Sequence, residues 1–356
     1  MTTNSPAYGP LVRELLGRAA RDRQPACGAF ELTHRCNLAC RFCYARSGPG
    51  LRPGPVRELS ASDWVRIARE ATDAGMTFLL LTGGEVLLRP DFFRIYEPLT
   101  RMGLVISVFT NGTLVTEQVA ERLARAPPSR TEITLYGATS ATCETVTGVP
   151  GSYHACRAGI EALLAHGIPL GLKTTLTRQN VGELEAMRRM AQDWGVPFSA
   201  SWLLARRPDG ARSRVEDCRL SPSEGIALEA ADRATSDEWT GLAQGQTAKK
   251  IGNAFYCHAG KSAFAIGPGG EMNVCLLMDR PSARPLETGF GAAWSRVQAF
   301  VDGAGPPDPA CRGCDAVMHC GRCPAWSLME TGTLTAPVPY LCEIARARKE
   351  WFSTRT

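Results

Sequence analysis

No apolar run in this chain approaches the ~18 residues that a membrane-spanning helix needs. The opening segment Met1–Pro10 has neither the basic nor the apolar region of a signal peptide. Both absences predict a cytoplasmic protein without a membrane partner. A strong charge of one sign is also missing. Lys and Arg number 40 against 35 Asp and Glu, and a net +5 spread over 356 residues is too mild to argue for nucleic acid. Hydrophobic residues make up 44% and charged residues 21%, which excludes the sparse, highly charged composition of a disordered chain. There is no tandem repeat and no low-complexity tail. Cysteine is scarce in the middle of the chain, where residues 44 to 256 hold only Cys143, Cys156 and Cys218.

Elsewhere cysteine is abundant. Of 14 in all, three fall at Cys36, Cys40 and Cys43, seven fall at Cys257, Cys275, Cys311, Cys314, Cys320, Cys323 and Cys342, and Cys27 stands apart. In a reducing cytosol such groups predict metal ligands before disulfides, so two metal-binding regions are expected. Between them, short β-branched or apolar runs alternate with helical patterns, the form of repeated β/α units around a parallel sheet. Six strands are expected at Ala29–Thr33, Thr77–Leu81, Leu104–Phe109, Thr131–Leu135, Pro169–Thr175 and Pro197–Trp202. Helices are expected near Ala61–Asp73, Asp91–Met102, Glu117–Ala126, Tyr153–His166 and Val181–Trp194, with Gly75, Gly103, Gly167 and Gly195 stopping four of them. Periodicity alone allows an open doubly wound sheet or a partial barrel. A Gly/Pro/Arg-rich connector spans Arg206–Arg214, followed by another helix over Leu220–Leu242. Beyond Cys257 the chain is rich in Gly, Pro and Cys with little periodicity, which predicts a core organised by metal instead of aliphatic layers.

The run Cys36-Asn-Leu-Ala-Cys40-Arg-Phe-Cys43 follows the first strand, at the end of the sheet where α/β enzymes place their sites. Three thiolates on one short loop suit a cubane iron–sulfur cluster whose fourth iron stays open for a small molecule. The alternative is zinc with His34 as fourth ligand, or, for the two CxxC pairs further on, a zinc ribbon. Thr82-Gly83-Gly84-Glu85 ends the second strand, Thr110-Asn111-Gly112 the third, and Thr134 lies in the fourth before Tyr136-Gly137.

With these residues the sequence resembles the radical S-adenosylmethionine (SAM) superfamily, whose CxxxCxΦC loop is matched by Cys36, Cys40, Phe42 and Cys43. The resemblance covers residues 28 to 202 and implies an α/β fold built as a partial (β/α)6 TIM-like barrel. It implies that SAM chelates the open iron and that Phe42 packs by the adenine. Gly83, Gly84 and Glu85 would meet the SAM ammonium, and Asn111 and Thr134 its ribose or carboxylate. One electron then cleaves SAM to a 5'-deoxyadenosyl radical, which takes hydrogen from a substrate carbon. Thr147-Gly148 stands where the family often has Arg-Gly.

The later cysteines resemble the SPASM domain, which holds two auxiliary 4Fe-4S clusters, for three clusters in all. By that resemblance Cys257, Cys275 and Cys323 hold an inner cluster whose fourth site takes substrate, water or a nearby residue. Cys311, Cys314, Cys320 and Cys342 hold an outer one. Gly321 and Arg322 intervene where the usual pattern has three residues. His258 and His319 adjoin ligands and are expected as polar bystanders. The resulting division is an N-terminal segment (1–27), the radical SAM barrel (28–215), a helical connector (216–256), the SPASM domain (257–342) and a C-terminal helix (343–356).

Three functions compete. Peptide maturation by oxidation or cross-linking is favoured by the size, by Tyr136 and by the Arg-Leu-Ser-Pro stretch at 219–222. With 35 residues before Cys36 and 14 after Cys342 there is no expected room for a fused leader-binding domain, so a separate leader-binding protein is expected. A reductant such as flavodoxin or ferredoxin is expected in either enzymatic case. The second function is a carbohydrate or aminocyclitol epimerase or dehydrogenase, with Cys218 as hydrogen-atom donor. The third is a non-catalytic metal-binding regulator. Cys143 and Cys156 are expected as buried structural thiols, and Cys27 precedes the first strand. Arg206, Arg207, Arg212 and Arg214 form a solvated loop or bind acidic substrate groups.

Overall fold

The computed structural model describes residues 9–44, 57–207, 215–244 and 252–353. Helix α1 (Gly9–Arg21) precedes strand β1 (Cys27–Glu31). The repeating body follows as α2 (Ala61–Asp73), β2 (Phe78–Thr82), α3 (Phe92–Thr100), β3 (Val105–Thr110), α4 (Glu117–Ala124), β4 (Arg130–Thr134), α5 (Ser140–Thr147), α6 (Ser152–Ala165), β5 (Leu170–Thr175), α7 (Leu184–Asp193) and β6 (Phe198–Ser201). The expected strands are all present within three residues. Helix α5 went unforeseen because Ser, Thr and Cys dominate its eight residues and leave little apolar stripe. Its start is made by the Thr139 hydroxyl, and by Glu183, whose carboxylate accepts from the Ala138 and Thr139 amides at 2.6 and 3.1 Å.

The six strands lie side by side in the order β6-β5-β4-β3-β2-β1, every pair parallel. This order settles what periodicity left open. Parallel crossovers are right-handed, so an order that never reverses puts every connecting helix on one face. A doubly wound sheet needs a reversal to fill its second face. The chain is therefore wound as a partial barrel, with the helices outside. Trp64, Ile67, Tyr96, Leu99, Ile133, Leu163 and Leu172 are fully or nearly fully buried between helices and sheet.

The connector holds α8 (Val215–Cys218), α9 (Pro222–Ala231) and α10 (Arg233–Gln244). The single helix expected over 220–242 breaks at Asp232, whose carboxylate accepts from the Thr235 amide. The Arg-Leu-Ser-Pro stretch is helix-start chemistry: Ser221 and Glu224 form a reciprocal capping box and Pro222 takes the first turn.

The Cys-rich region contains β7 (Ala263–Ile266), β8 (Met272–Asn273), α11 (Pro285–Thr288), α12 (Phe290–Asp302), α13 (Pro309–Arg312), α14 (Pro324–Thr331) and α15 (Pro339–Ser353). One expectation is corrected here. Its first half does have an apolar core: β7 joins the barrel sheet parallel to β1, from Cys27↔Ala263 to Phe30↔Ile266. Phe264, Phe290, Trp294, Val297 and Val301 are buried in the same core as the barrel. Strands of four and two residues and an α12 interrupted by Gly and Ala gave little periodicity to read, yet apolar burial against an existing sheet edge suffices to order them. No helix among the described residues is long and apolar enough to cross a membrane.

Candidate active site

The cysteine loop, the Gly83-Gly84-Glu85 run, Asn111 and Thr134 all lie at the carboxyl ends of the strands. The cysteine loop leaves β1 and is held from below by the Gly-Gly-Glu run after β2. The Gly84 amide donates to the Thr33 carbonyl at 2.7 Å and the Glu85 amide to the Arg35 carbonyl at 2.8 Å. A Cβ on Gly83 would stand 2.4 Å from the Thr33 oxygen, and one on Gly84 2.3 Å from the Arg35 oxygen. The close approach that demands glycine is thus to the chain's own loop backbone.

Glu85 is buried, and both its oxygens are engaged. Oε1 accepts from the Thr110 hydroxyl at 2.7 Å and the Leu87 amide at 3.0 Å, and Oε2 from the Asn111 amide at 2.7 Å. Burial pushes this carboxyl above its ordinary range, against the pull of those three donors. Glu85 ties the end of β2 to the end of β3. Asn111 continues the brace: its Nδ2 donates to Asn37 Oδ1 at 2.9 Å and lies 3.8 Å from the Cys36 sulfur, while its Oδ1 accepts from Thr113. Helix α5 closes the other side, where the Ala39 amide donates to the Thr147 carbonyl at 2.7 Å and Gly148 turns away at φ 70°. Thr147 therefore meets the loop through its backbone, at the position where the family often has arginine.

Cys36, Cys40 and Cys43 lie near enough on one loop for their thiols to influence one another. Burial raises the Cys40 thiol, and the neighbouring Cys43 and Cys36 raise it further. Among the described residues no three His, Cys, Asp or Glu side chains gather tightly enough to hold a single ion. His34 is drawn off to Glu31, 3.0 Å away. A donor set of three spaced thiols fits a cluster that takes one ligand per iron better than one tetrahedral zinc.

Phe42 is buried edge-on to Tyr136 with ring centres 5.7 Å apart, and packs in one small cluster with Val146, Leu204, Val215 and Cys218. Cys218 is thus brought to the Phe42 side of the loop. Thr134 is half-buried at the end of β4, its register partner being Lys173. Of the connector arginines, Arg207 is buried and reaches the Cys43 carbonyl at 3.4 Å, Arg206 pairs with Glu216 at 2.6 Å, and Arg212 and Arg214 lie outside the described residues. Cys27, Cys143 and Cys156 are buried.

The barrel interior carries charges that the sequence reading missed. On β4 and β5 Ile133 and Leu172 face the helices, so Glu132 and Lys173 face inward. Glu132 stands between Arg130 at 2.9 Å and Lys173 at 3.2 Å, and the Lys173 ammonium lies over the Phe109 ring. Across the sheet, Glu31 is buried with Oε1 unpaired. A signal existed: parallel strands covered on both faces are normally continuous apolar runs, and Arg-Thr-Glu-Ile-Thr and Leu-Gly-Leu-Lys-Thr-Thr are not.

The later cysteines separate into two groups in space. Cys275, pushed up to about 12 by burial, feels Cys323 and Cys257, and Cys323 feels Cys257. Cys311, Cys314, Cys320 and Cys342 line a single cavity of about 770 Å³. His319 is buried against Trp239 with both ring nitrogens unpaired, and His258 bonds Ser262 at 3.1 Å.

A one-directional partial barrel with a three-cysteine loop over its mouth defines a radical SAM enzyme. Residues 30–191 match the Radical SAM superfamily and form a radical SAM domain, and the Cys-rich end fits a SPASM domain. That family binds SAM and a 4Fe-4S cluster. The chain is 34% identical over 177 residues to an AdoMet-dependent heme synthase of Methanosarcina barkeri, a match spanning half of each chain. It is 29% identical over 329 residues to mycofactocin maturase MftC of Mycobacterium ulcerans, covering 88% of this chain and 87% of that one. In fold it is similar to Streptococcus suis SuiB bound to S-adenosylmethionine, with TM-score 0.71, 15% identity, and 96% and 84% of the two chains covered.

Proposed function

We propose that this chain modifies a ribosomally made peptide by radical oxidation or cross-linking. Support for the substrate class comes from the maturase relative that spans most of the chain. When bound, the cluster supplies the electron that cleaves SAM to the 5'-deoxyadenosyl radical. Cys36, Cys40 and Cys43 hold that cluster, and the Asn37–Asn111 brace and the Gly83-Gly84 floor fix the loop that carries them. Phe42 and Tyr136 form the wall against the adenine. Thr134 and the backbone at Gly83–Glu85 face the polar end of SAM, and Glu85 orients that backbone. The inward row of Glu31, Glu132 and Lys173 meets the substrate. Cys257, Cys275 and Cys323 would hold an inner auxiliary cluster and Cys311, Cys314, Cys320 and Cys342 an outer one, groups that would supply electron transfer when bound. A flavodoxin or ferredoxin supplies reducing equivalents and a separate protein delivers the peptide leader.

The observation that carries this reading is the three-cysteine loop braced at the open end of the barrel. Anaerobically reconstituted protein with dithionite is expected to form 5'-deoxyadenosine and to carry about twelve irons per chain. The Cys36→Ala/Cys40→Ala/Cys43→Ala variant is expected to lose the product and about a third of the iron. Continued SAM cleavage by that variant would overturn the assignment. Incubation with the peptides encoded beside the gene, read by mass spectrometry, decides the substrate. A turned-over heme precursor in place of a peptide would favour the heme synthase relatives. Peptide maturation also predicts that Cys218→Ala keeps product formation; loss of an inverted, deuterium-labelled product in that variant would restore the epimerase reading.

A further inference from the structure

We infer that Arg322 is the shared counter-ion of the two auxiliary clusters and sets their reduction potentials. The inference rests on the reading that the seven later cysteines hold two such clusters. Arg322 occupies the shortened interval between Cys320 and Cys323, one cysteine from each spatial group. Its side chain is 5% exposed and lines the cavity that holds Cys311, Cys314, Cys320 and Cys342. Nη2 donates to the Ala254 carbonyl at 3.0 Å, and the guanidinium lies 5.6 Å from the ring centre of Tyr256, next to Cys257. Nη1 is buried with no hydrogen-bond partner, and no carboxylate among the described residues pairs with Arg322.

A buried guanidinium without an anion is strongly unfavourable, which is why the other buried arginines of this region are paired, Arg348 with Glu229 and Arg219 with Glu330. The groups left to balance Arg322 are the cysteine sulfurs. Arg322 follows Cys320 by two residues and precedes Cys323 directly, and it lines the same cavity as Cys311 and Cys320, so it stands beside members of both groups. A cubane held by four thiolates is a net anion, and it becomes more negative when reduced. A fixed positive charge at its edge therefore favours the reduced form and raises the potential.

The test uses the full chain carrying the Cys36→Ala/Cys40→Ala/Cys43→Ala changes, so that only auxiliary clusters report. Midpoint potentials are read by EPR-monitored redox titration, beside iron content. Arg322→Gln is expected to lower the reduction equilibrium constant of the outer cluster at least tenfold, a shift of about 59 mV for one electron, with a smaller shift at the inner cluster. Arg322→Lys keeps the charge and is expected to hold both potentials near those of the parent. If the Gln variant fails to assemble the outer cluster while Lys assembles it, the counter-ion role is supported by the iron count. Full iron with unmoved potentials in the Gln variant overturns the inference alone, as does a Lys variant that behaves like Gln. A parent chain with no auxiliary iron removes the two-cluster reading and this inference together.

Discussion

Lys173 carries its ammonium into the barrel, where burial pulls it down to about 8 against the support of Glu132. The sign follows from proton counting. Between about pH 8 and the ordinary 10.5 the unfolded chain still binds the proton that the folded chain has released, so stability rises with pH across that window. Below it the folded chain must keep a desolvated cation. Competitive amine labelling under anaerobic conditions is expected to show Lys173 half-reactive near pH 8, while surface lysines follow their ordinary value. Glu132→Gln removes the opposing charge and is expected to move that midpoint lower still. A Lys173 midpoint at the ordinary value would show that its ammonium is solvated.

The elements that matter for the site are connecting turns as much as strands. The Gly83-Gly84 turn is pressed on the cysteine loop backbone to backbone, so a methyl at Gly84 has nowhere to go except by moving Arg35. Gly84→Ala is expected to cost about 1–3 kcal/mol of overpacking and to shift the loop that carries Cys36. Its reading is a fall of at least tenfold in 5'-deoxyadenosine formation with the auxiliary iron retained. Gly182→Ala, where an added Cβ meets nothing within 4 Å, is the control and is expected to leave both unchanged. The glycines were legible as a motif because of their position after the second strand. What they touch was not, since Thr33 and Arg35 lie fifty residues away in sequence.

At the scale of the molecule the connector, the Cys-rich region and the C-terminal helix are locked by one buried ion pair. Glu229 on α9 accepts from Arg348 on α15 at 2.7 and 2.5 Å and from Trp202 Nε1 at 2.9 Å, and Arg348 also donates to the His319 carbonyl. Arg348→Met leaves the carboxylate buried without its cation and is expected to cost about 3–5 kcal/mol. Adding Glu229→Gln is expected to recover part of that loss. Both are read as thermal midpoints of the anaerobic holoprotein, and equal midpoints for parent and Arg348→Met would show that the pair holds nothing together.

The β/α alternation, the six strand positions and the cysteine spacings are legible in the amino-acid order, because each depends on residues within one or two turns of chain. Cys36, Cys40 and Cys43 stand out as a candidate cluster loop without any fold, and the polar residues at strand ends mark the candidate site. Only the tertiary structure decided between barrel and doubly wound sheet, since that turns on strand order, and strand order is set by burial between segments far apart. The same holds for β7, which extends the sheet from beyond residue 260. It holds for Glu85 and Asn111, whose polar atoms are consumed by the chain's own braces, and for Arg322, which two residues of spacing place between cysteines that the fold sends to different groups. Local pattern chooses the element; which distant group satisfies a buried charge or a buried amide is a property of the packed whole.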